Sequence, residues 1–240
     1  MSIRTHIPNA ITSLNLLCGV VGVVFALGGR PDIAFFLMLA AGLFDFCDGL
    51  AARLLGAHST IGGELDSMAD MVSFGVLPSV MLYACMKELG CTPQLCFIPL
   101  LIAVFSGIRL AKFNVDERQH TSFLGLPTPS SAIICGSLAL FCHACPGSRF
   151  AAICSIWFVI PLLTVILCAL LVSEVPMFSF KTGRDGASWI RDMKRTAFLC
   201  ISALIIIIVI VLGLHWTIVP LGIFSSYVIE NLLFAVFKIR

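Results

Sequence analysis

The sequence predicts an all-α fold, a polytopic integral membrane bundle of about eight transmembrane helices. Three observations predict it. The chain of 240 residues is 59% hydrophobic and 12% charged, with a mean hydropathy of +1.05, far more apolar than a soluble chain. Its apolar residues fall into eight runs, near 11–28, 32–54, 62–86, 95–112, 129–145, 150–173, 196–214 and 216–237, most of them close to the ~20 residues that cross a bilayer as a helix. The basic residues alternate with those runs: with a cytoplasmic N-terminus, only Arg30, Lys87 and Arg149 of the fifteen fall outside. That bias fits an even number of spans with both termini cytoplasmic, in a multi-pass protein of the cell (inner) membrane.

The first run is read as a retained helix, because Met1–His6 carries a single arginine and no small-residue cleavage site separates it from the second run. Residues 174–195 read as a cytoplasmic loop, and 196–240 as two additional helices. Little chain is left for a soluble domain, so function belongs among the helices. A net charge of +2 gives no concentrated basic face and sets nucleic-acid binding aside. Cys18, Cys47, Cys135, Cys154, Cys168 and Cys200 lie in apolar runs, where a thiol behaves as a small hydrophobe. Cys142 and Cys145 flank His143 in a CxxC spacing, but the second pair that a zinc site needs is absent nearby. Cys85 and Cys91 are expected outside, where an oxidised pair is open.

The acidic residues are the anomaly. Asp45 and Asp48 lie in the second run and Asp66 and Asp70 in the third, where a charge at mid-bilayer costs about 2.5–3.5 kcal/mol. Residues three, four and seven apart share a helical face. Asp45, Asp48, Gly49, Ala52 and Arg53 therefore form one stripe, and Gly62, Asp66 and Asp70 another. Successive spans run in opposite directions, so both pairs lie near the cytoplasmic ends and the four carboxylates converge. Arg53 alone cannot neutralise them. Two divalent cations would, and oxygen-only ligands favour Mg2+ or Mn2+. Two such ions also suit a phosphoryl group, while Gly49 and Ala52 leave room for a ligand and Arg53 offers a fork for phosphate oxygens. The small residues equally suit close helix packing. A divalent-cation transporter is the competing class, because intramembrane acids mark ion paths too; a fixed guanidinium beside the acids argues against it.

Asp45-x-x-Asp48-Gly49-x-x-Ala52-Arg53, eight residues, then Gly62-x-x-x-Asp66-x-x-x-Asp70 resembles the full signature of the CDP-alcohol phosphotransferase family. IPNAITSLNLLCG at 7–19, GGELDSMADMVSFGVLP at 62–78, RLAKFN at 109–114, FLGLPTP at 123–129 and SEVPMFSFK at 173–181 resemble the bacterial integral-membrane phosphatidylserine synthases within it. The resemblance implies metal-dependent transfer of a phosphatidyl group from CDP-diacylglycerol to L-serine with release of CMP. It also implies a core spanning 1–173 and a homodimer. Asp45 and Asp66 would bridge both metals, Asp48 would complete one site and Asp70 the other, and Asp70 would also act as the general base. Arg53, Gly49, Ala52, Gly62 and Ser59 would hold the CDP group, closed over by Asn9 and Thr12; a helix cap and a back-bonded hydroxyl suit these last two equally.

Serine brings a carboxylate to an anionic site, so Arg109 and Lys112, beside Asn114, are the candidates to receive it, although both also suit ordinary anchoring at a cytoplasmic helix end. Glycerol 3-phosphate, choline and inositol are the alternative acceptors, and a phosphorylated one would demand more cations.

Overall fold

The computed structural model describes residues 3–56, 60–115, 123–177 and 189–236; Ser59 and the whole of the segment 178–188 lie outside them. α1 (Ile3–Leu27) and α2 (Pro31–Leu55) form a hairpin. Its turn closes through Gly29 at φ 73° and an Arg30 N–H to Phe25 carbonyl bond of 2.9 Å. Pro31 stands at the start of α2, where its missing N–H has no intrahelical partner to lose. Gly56, at φ 57°, ends α2 by donating to the Ala52 and Arg53 carbonyls, the left-handed cap that turns the chain back toward the third run.

That third run is not a uniform α-helix. α3 (Thr60–Asp70) passes into one π-helical turn, Met71–Val76, and then into α4 (Leu77–Glu88). Pro78 has no N–H to give the Phe74 carbonyl, and just before it the Leu77 N–H reaches back five residues to Val72. One extra residue shifts the helical phase by about 100°. The face bearing Asp66 and Asp70 is thereby set apart from the α4 face on which Leu77, Met81, Leu82 and Met86 are fully buried.

A 3-10 turn, Leu95–Leu100, leads into α5 (Leu101–Val115), which lies against the π turn. A Cβ on Gly75 would stand 3.0 Å from the Ser106 Cβ, so the glycine permits that approach. α6 (Thr128–Ala144) is the most enclosed helix, buried almost throughout. The sixth run divides into α7 (Arg149–Cys154) and α8 (Val159–Val172). Pro161 accounts for the restart, because a proline is tolerated in the first turn of α8 but not within one continuous helix. α9 (Trp189–Val211) and α10 (Ile218–Val236) complete the chain. Between them Trp216 stacks on Phe36 at 5.7 Å and meets Phe35 at 6.0 Å, fixing this hairpin to the start of α2.

Among the described residues six helical segments are long and apolar enough to cross a membrane, and α6 and α8 are shorter apolar helices; together they occupy the eight expected runs. Leu17, Val24, Phe36, Leu43, Phe46 and Ile210 point outward, as lipid-facing positions of a polytopic bundle should. A cavity of about 280 Å³ opens at the Gly29–Pro31 end of the bundle, lined by Lys87, Glu88 and His143 among apolar residues. His143 is engaged there by Glu88 at 2.9 Å, and none of the four intramembrane acids reaches it.

Between α5 and α6 lies β1 (Phe123–Leu124), which pairs antiparallel with β2 (Pro176–Met177), beyond α8. Gly125 follows at φ 76°, where a Cβ would sit 2.7 Å from the Ser173 carbonyl oxygen. Gly125→Ala is therefore expected to destabilise the protein by at least the left-handed backbone penalty of about 1–2 kcal/mol. Thermal unfolding in detergent measures this, and an unchanged midpoint would show that the ladder does not constrain the fold.

Candidate active site

The α2 stripe and α3 face each other, and α1 closes the third side. Asp48 is buried, at 6% exposure, and Asp45 is half-buried. A carboxylate oxygen from each of Asp45, Asp48 and Asp66 lies within 4.8 Å of the other two. Asp70, one turn beyond Asp66 and half-buried, stands outside that trio and accepts a hydrogen bond from Asn15 Nδ2 at 3.3 Å. The Thr12 hydroxyl lies within reach of both Asp48 Oδ2 and the Pro8 carbonyl, and its single proton serves one of them at a time. Asn9, half-buried, lies inside α1 rather than at its start, so it does not cap the helix.

Three carboxylates held this close repel one another unless a cation or protons intervene. Asp66 Oδ1 is buried without a hydrogen-bond donor. An oxygen-only donor set with an uncompensated buried oxygen fits a hard divalent cation.

The surroundings leave space for a ligand. A Cβ on Gly49 would meet nothing within 4 Å. Ala52 is half-buried, and Arg53 is exposed, its Nε donating to the Gly49 carbonyl at 2.9 Å. Gly62 lies half-buried in the first turn of α3.

The basic candidates on α5 separate sharply. Arg109 is 7% exposed, its Nε is buried without an acceptor, and its charge interacts with the Asp70 carboxylate; Tyr227 of α10 is also buried. Lys112 is exposed and donates to the Val172 carbonyl at 3.4 Å, holding the end of α8. Asn114 Nδ2 donates to Ser67 Oγ at 2.9 Å, joining the end of α5 to α3. Sequence reasoning passed over Asn15, Ser67 and Tyr227. An amide in the middle of an otherwise apolar span was the available signal for Asn15; nothing local marked the other two.

Residues 5–170, which carry all four acids, match the family model described as CDP-alcohol phosphatidyltransferase. The chain belongs to the CDP-alcohol phosphatidyltransferase family. Among its relatives in that family is the CDP-diacylglycerol--serine O-phosphatidyltransferase of Mycobacterium leprae (strain TN), 38% identical over 184 residues, or 73% of this chain and 59% of the relative. The protein of the same name from Bacillus subtilis (strain 168) is 37% identical over 125 residues, 52% of this chain and 70% of that one. The archaetidylserine synthase of Methanothermobacter thermautotrophicus is 32% identical over 136 residues, 56% of this chain and 58% of that one. The chain spans between about half and three-fifths of the length of the mycobacterial relatives it matches, from 49% to 60%. As a member of that family, the chain places the acids of the signature on two facing helices and adds a third wall from α1.

Proposed function

We propose that this CDP-alcohol phosphatidyltransferase moves the phosphatidyl group of CDP-diacylglycerol to the hydroxyl of L-serine, giving phosphatidylserine and CMP. The observation that carries the reading is the convergence of Asp45, Asp48 and Asp66 beside a separately held Asp70, in a chain whose relatives are named for this reaction. The serine oxygen forms a bond to the phosphatidyl phosphorus, the anhydride bond to CMP breaks, and the hydroxyl proton passes to Asp70. A serine hydroxyl is a weak nucleophile at neutral pH, so a carboxylate within reach is what the step requires.

Asp45, Asp48 and Asp66 would hold one divalent cation, Mg2+ or Mn2+, and Asp70 with the shared Asp45 and Asp66 a second. When bound, such ions neutralise the diphosphate and the departing CMP phosphate. Arg53, with the open backbone at Gly49, Ala52 and Gly62 and with Ser59, holds the CDP group, and Asn9 and Thr12 close over it from α1. The six helical runs up to residue 173 form the catalytic core, 174–195 a cytoplasmic loop, and α9 and α10 an addition to it. Both termini and the site face the cytoplasm, on the inner membrane. The protein works as a homodimer, which mass measurement in nanodiscs would check; a monomer-sized species would contradict it.

Of the basic residues, Arg109 is the one that receives the serine carboxylate, because it is buried within electrostatic range of Asp70 with an N–H still to satisfy, while Lys112 is exposed and reaches the Val172 carbonyl. Arg109→Gln should remove a charge-assisted hydrogen bond, a loss of about 1.5–3 kcal/mol, and raise KM for serine on the order of ten- to more than hundredfold. Lys112→Gln should leave it unchanged. Incorporation of labelled serine into lipid, measured against serine concentration with CDP-diacylglycerol saturating, tests both the reading and the assignment. Label that stays in the aqueous phase while glycerol 3-phosphate is converted would replace serine as the acceptor; a serine KM that Lys112→Gln alone raises would move the carboxylate to α5's exposed end.

A further inference from the structure

Asn15 is completely buried in α1, yet its side chain is not arranged as a folding contact would be. Nδ2 donates to Asp70 Oδ1 at 3.3 Å, whereas its own Oδ1 is buried with no donor facing it. A buried acceptor left unmade is destabilising, and an apolar side chain of similar shape would avoid it. Residues that break a folding rule in this way concentrate at functional sites.

The position of the amide is fixed independently of Asp70. The Asn15 carbonyl accepts a hydrogen bond from Ser73 Oγ at 3.0 Å, so α1 is tied to the π turn directly after Asp70. One turn further along α1, a Cβ on Gly19 would fall 2.5 Å from Ser73 Oγ, so the two backbones are as close as glycine allows. The Asn15 amide therefore reaches Asp70 from a rigid wall. A carboxylate turns about its last side-chain torsion in a broad, two-fold well. One donor on Oδ1 selects the plane and leaves Oδ2 to meet the acceptor.

We propose that Asn15 is the positioning residue that orients the Asp70 carboxylate for proton abstraction, holding Oδ1 so that Oδ2 faces the acceptor hydroxyl. The inference rests on the transferase reading given above. Asn15 touches neither substrate. Its effect falls on the rate of transfer and not on the capture of CDP-diacylglycerol, which is held by other residues.

The test is steady-state CMP release by the full chain in nanodiscs, with Asn15→Leu, Asn15→Ala and Ser73→Ala beside the wild type, together with CDP-diacylglycerol binding and thermal unfolding. Loss of a hydrogen bond to a charged group is expected to lower kcat about ten- to hundredfold in Asn15→Leu. KM for CDP-diacylglycerol and the unfolding midpoint should stay at wild-type values. Ser73→Ala, which removes the tie on α1 but leaves the amide donor in place, should lower kcat by less than Asn15→Leu does. If Asn15→Leu does not accumulate, Asn15→Ala should give the same separation of kcat from KM. An active wild type with undiminished kcat in the Asn15 variants overturns the inference alone, as does an equal loss in Ser73→Ala. A wild type that releases no CMP with any alcohol overturns the transferase reading itself, and this role with it.

Discussion

Asp70→Asn is expected to lower kcat for CMP release by about a hundred- to ten-thousandfold, the range that a positioned general base contributes. The amide keeps the size and shape of the carboxylate but cannot take the acceptor proton. CDP-diacylglycerol binding should survive, because Asp45, Asp48 and Asp66 form their cluster without Asp70. Burial around the site also persists, so loss of fold is not the expected cause. Single-turnover CMP release and equilibrium CDP-diacylglycerol binding, measured on the same preparation, separate the two effects. Equal loss of both would remove Asp70 from the base role and leave it a metal ligand.

Asp66→Asn should fail differently. Asp66 belongs to the close trio and supplies the buried oxygen with no donor. Converting it to an amide removes a charge from the centre of the cluster and puts N–H groups where ligand atoms are needed. Disturbing even an outer-shell partner of a metal costs about 10–100-fold in affinity, so the loss for a direct ligand should be at least as large. The expected result is a rise in the Mg2+ or Mn2+ concentration that half-saturates CDP-diacylglycerol binding, with kcat falling as well. Metal-dependent binding at the wild-type midpoint would show that Asp66 does not hold the ion.

The site was legible in the sequence wherever it depended on spacing along one helix. Asp45, Asp48, Gly49 and Ala52 share a face because they lie three, four and seven residues apart, and the same rule aligned Asp66 with Asp70. What the spacing could not convey is which side chains from distant segments complete the wall. Asn15 meets Asp70 across 55 residues, and Phe123 meets Met177 across the whole of α6, α7 and α8. No local pattern encodes either pairing, although both strands lie within stretches that the family resemblance had already singled out. Arg109 and Lys112 were indistinguishable for a related reason. Three residues apart, they read as one basic patch, whereas the packing of α5 buries the first and leaves the second exposed. The π turn was also hidden. Hydropathy sees one apolar run over 62–86, and only the backbone shows that Pro78 is preceded by a turn with an extra residue. That turn decides the angle at which the two acids of α3 face α2, a matter of phase that a fixed period of 3.6 residues misses.

Metal-dependent CMP release tests the central claim most directly. Purified protein in nanodiscs is given CDP-diacylglycerol with Mg2+ or Mn2+, and CMP is followed with serine, glycerol 3-phosphate, choline and inositol in turn. The predicted result is CMP formed with serine in equal amount to phosphatidylserine, abolished by a chelator and restored by adding either cation back. CMP release that persists after complete removal of divalent ions, or no CMP with any of the four alcohols, would contradict the account.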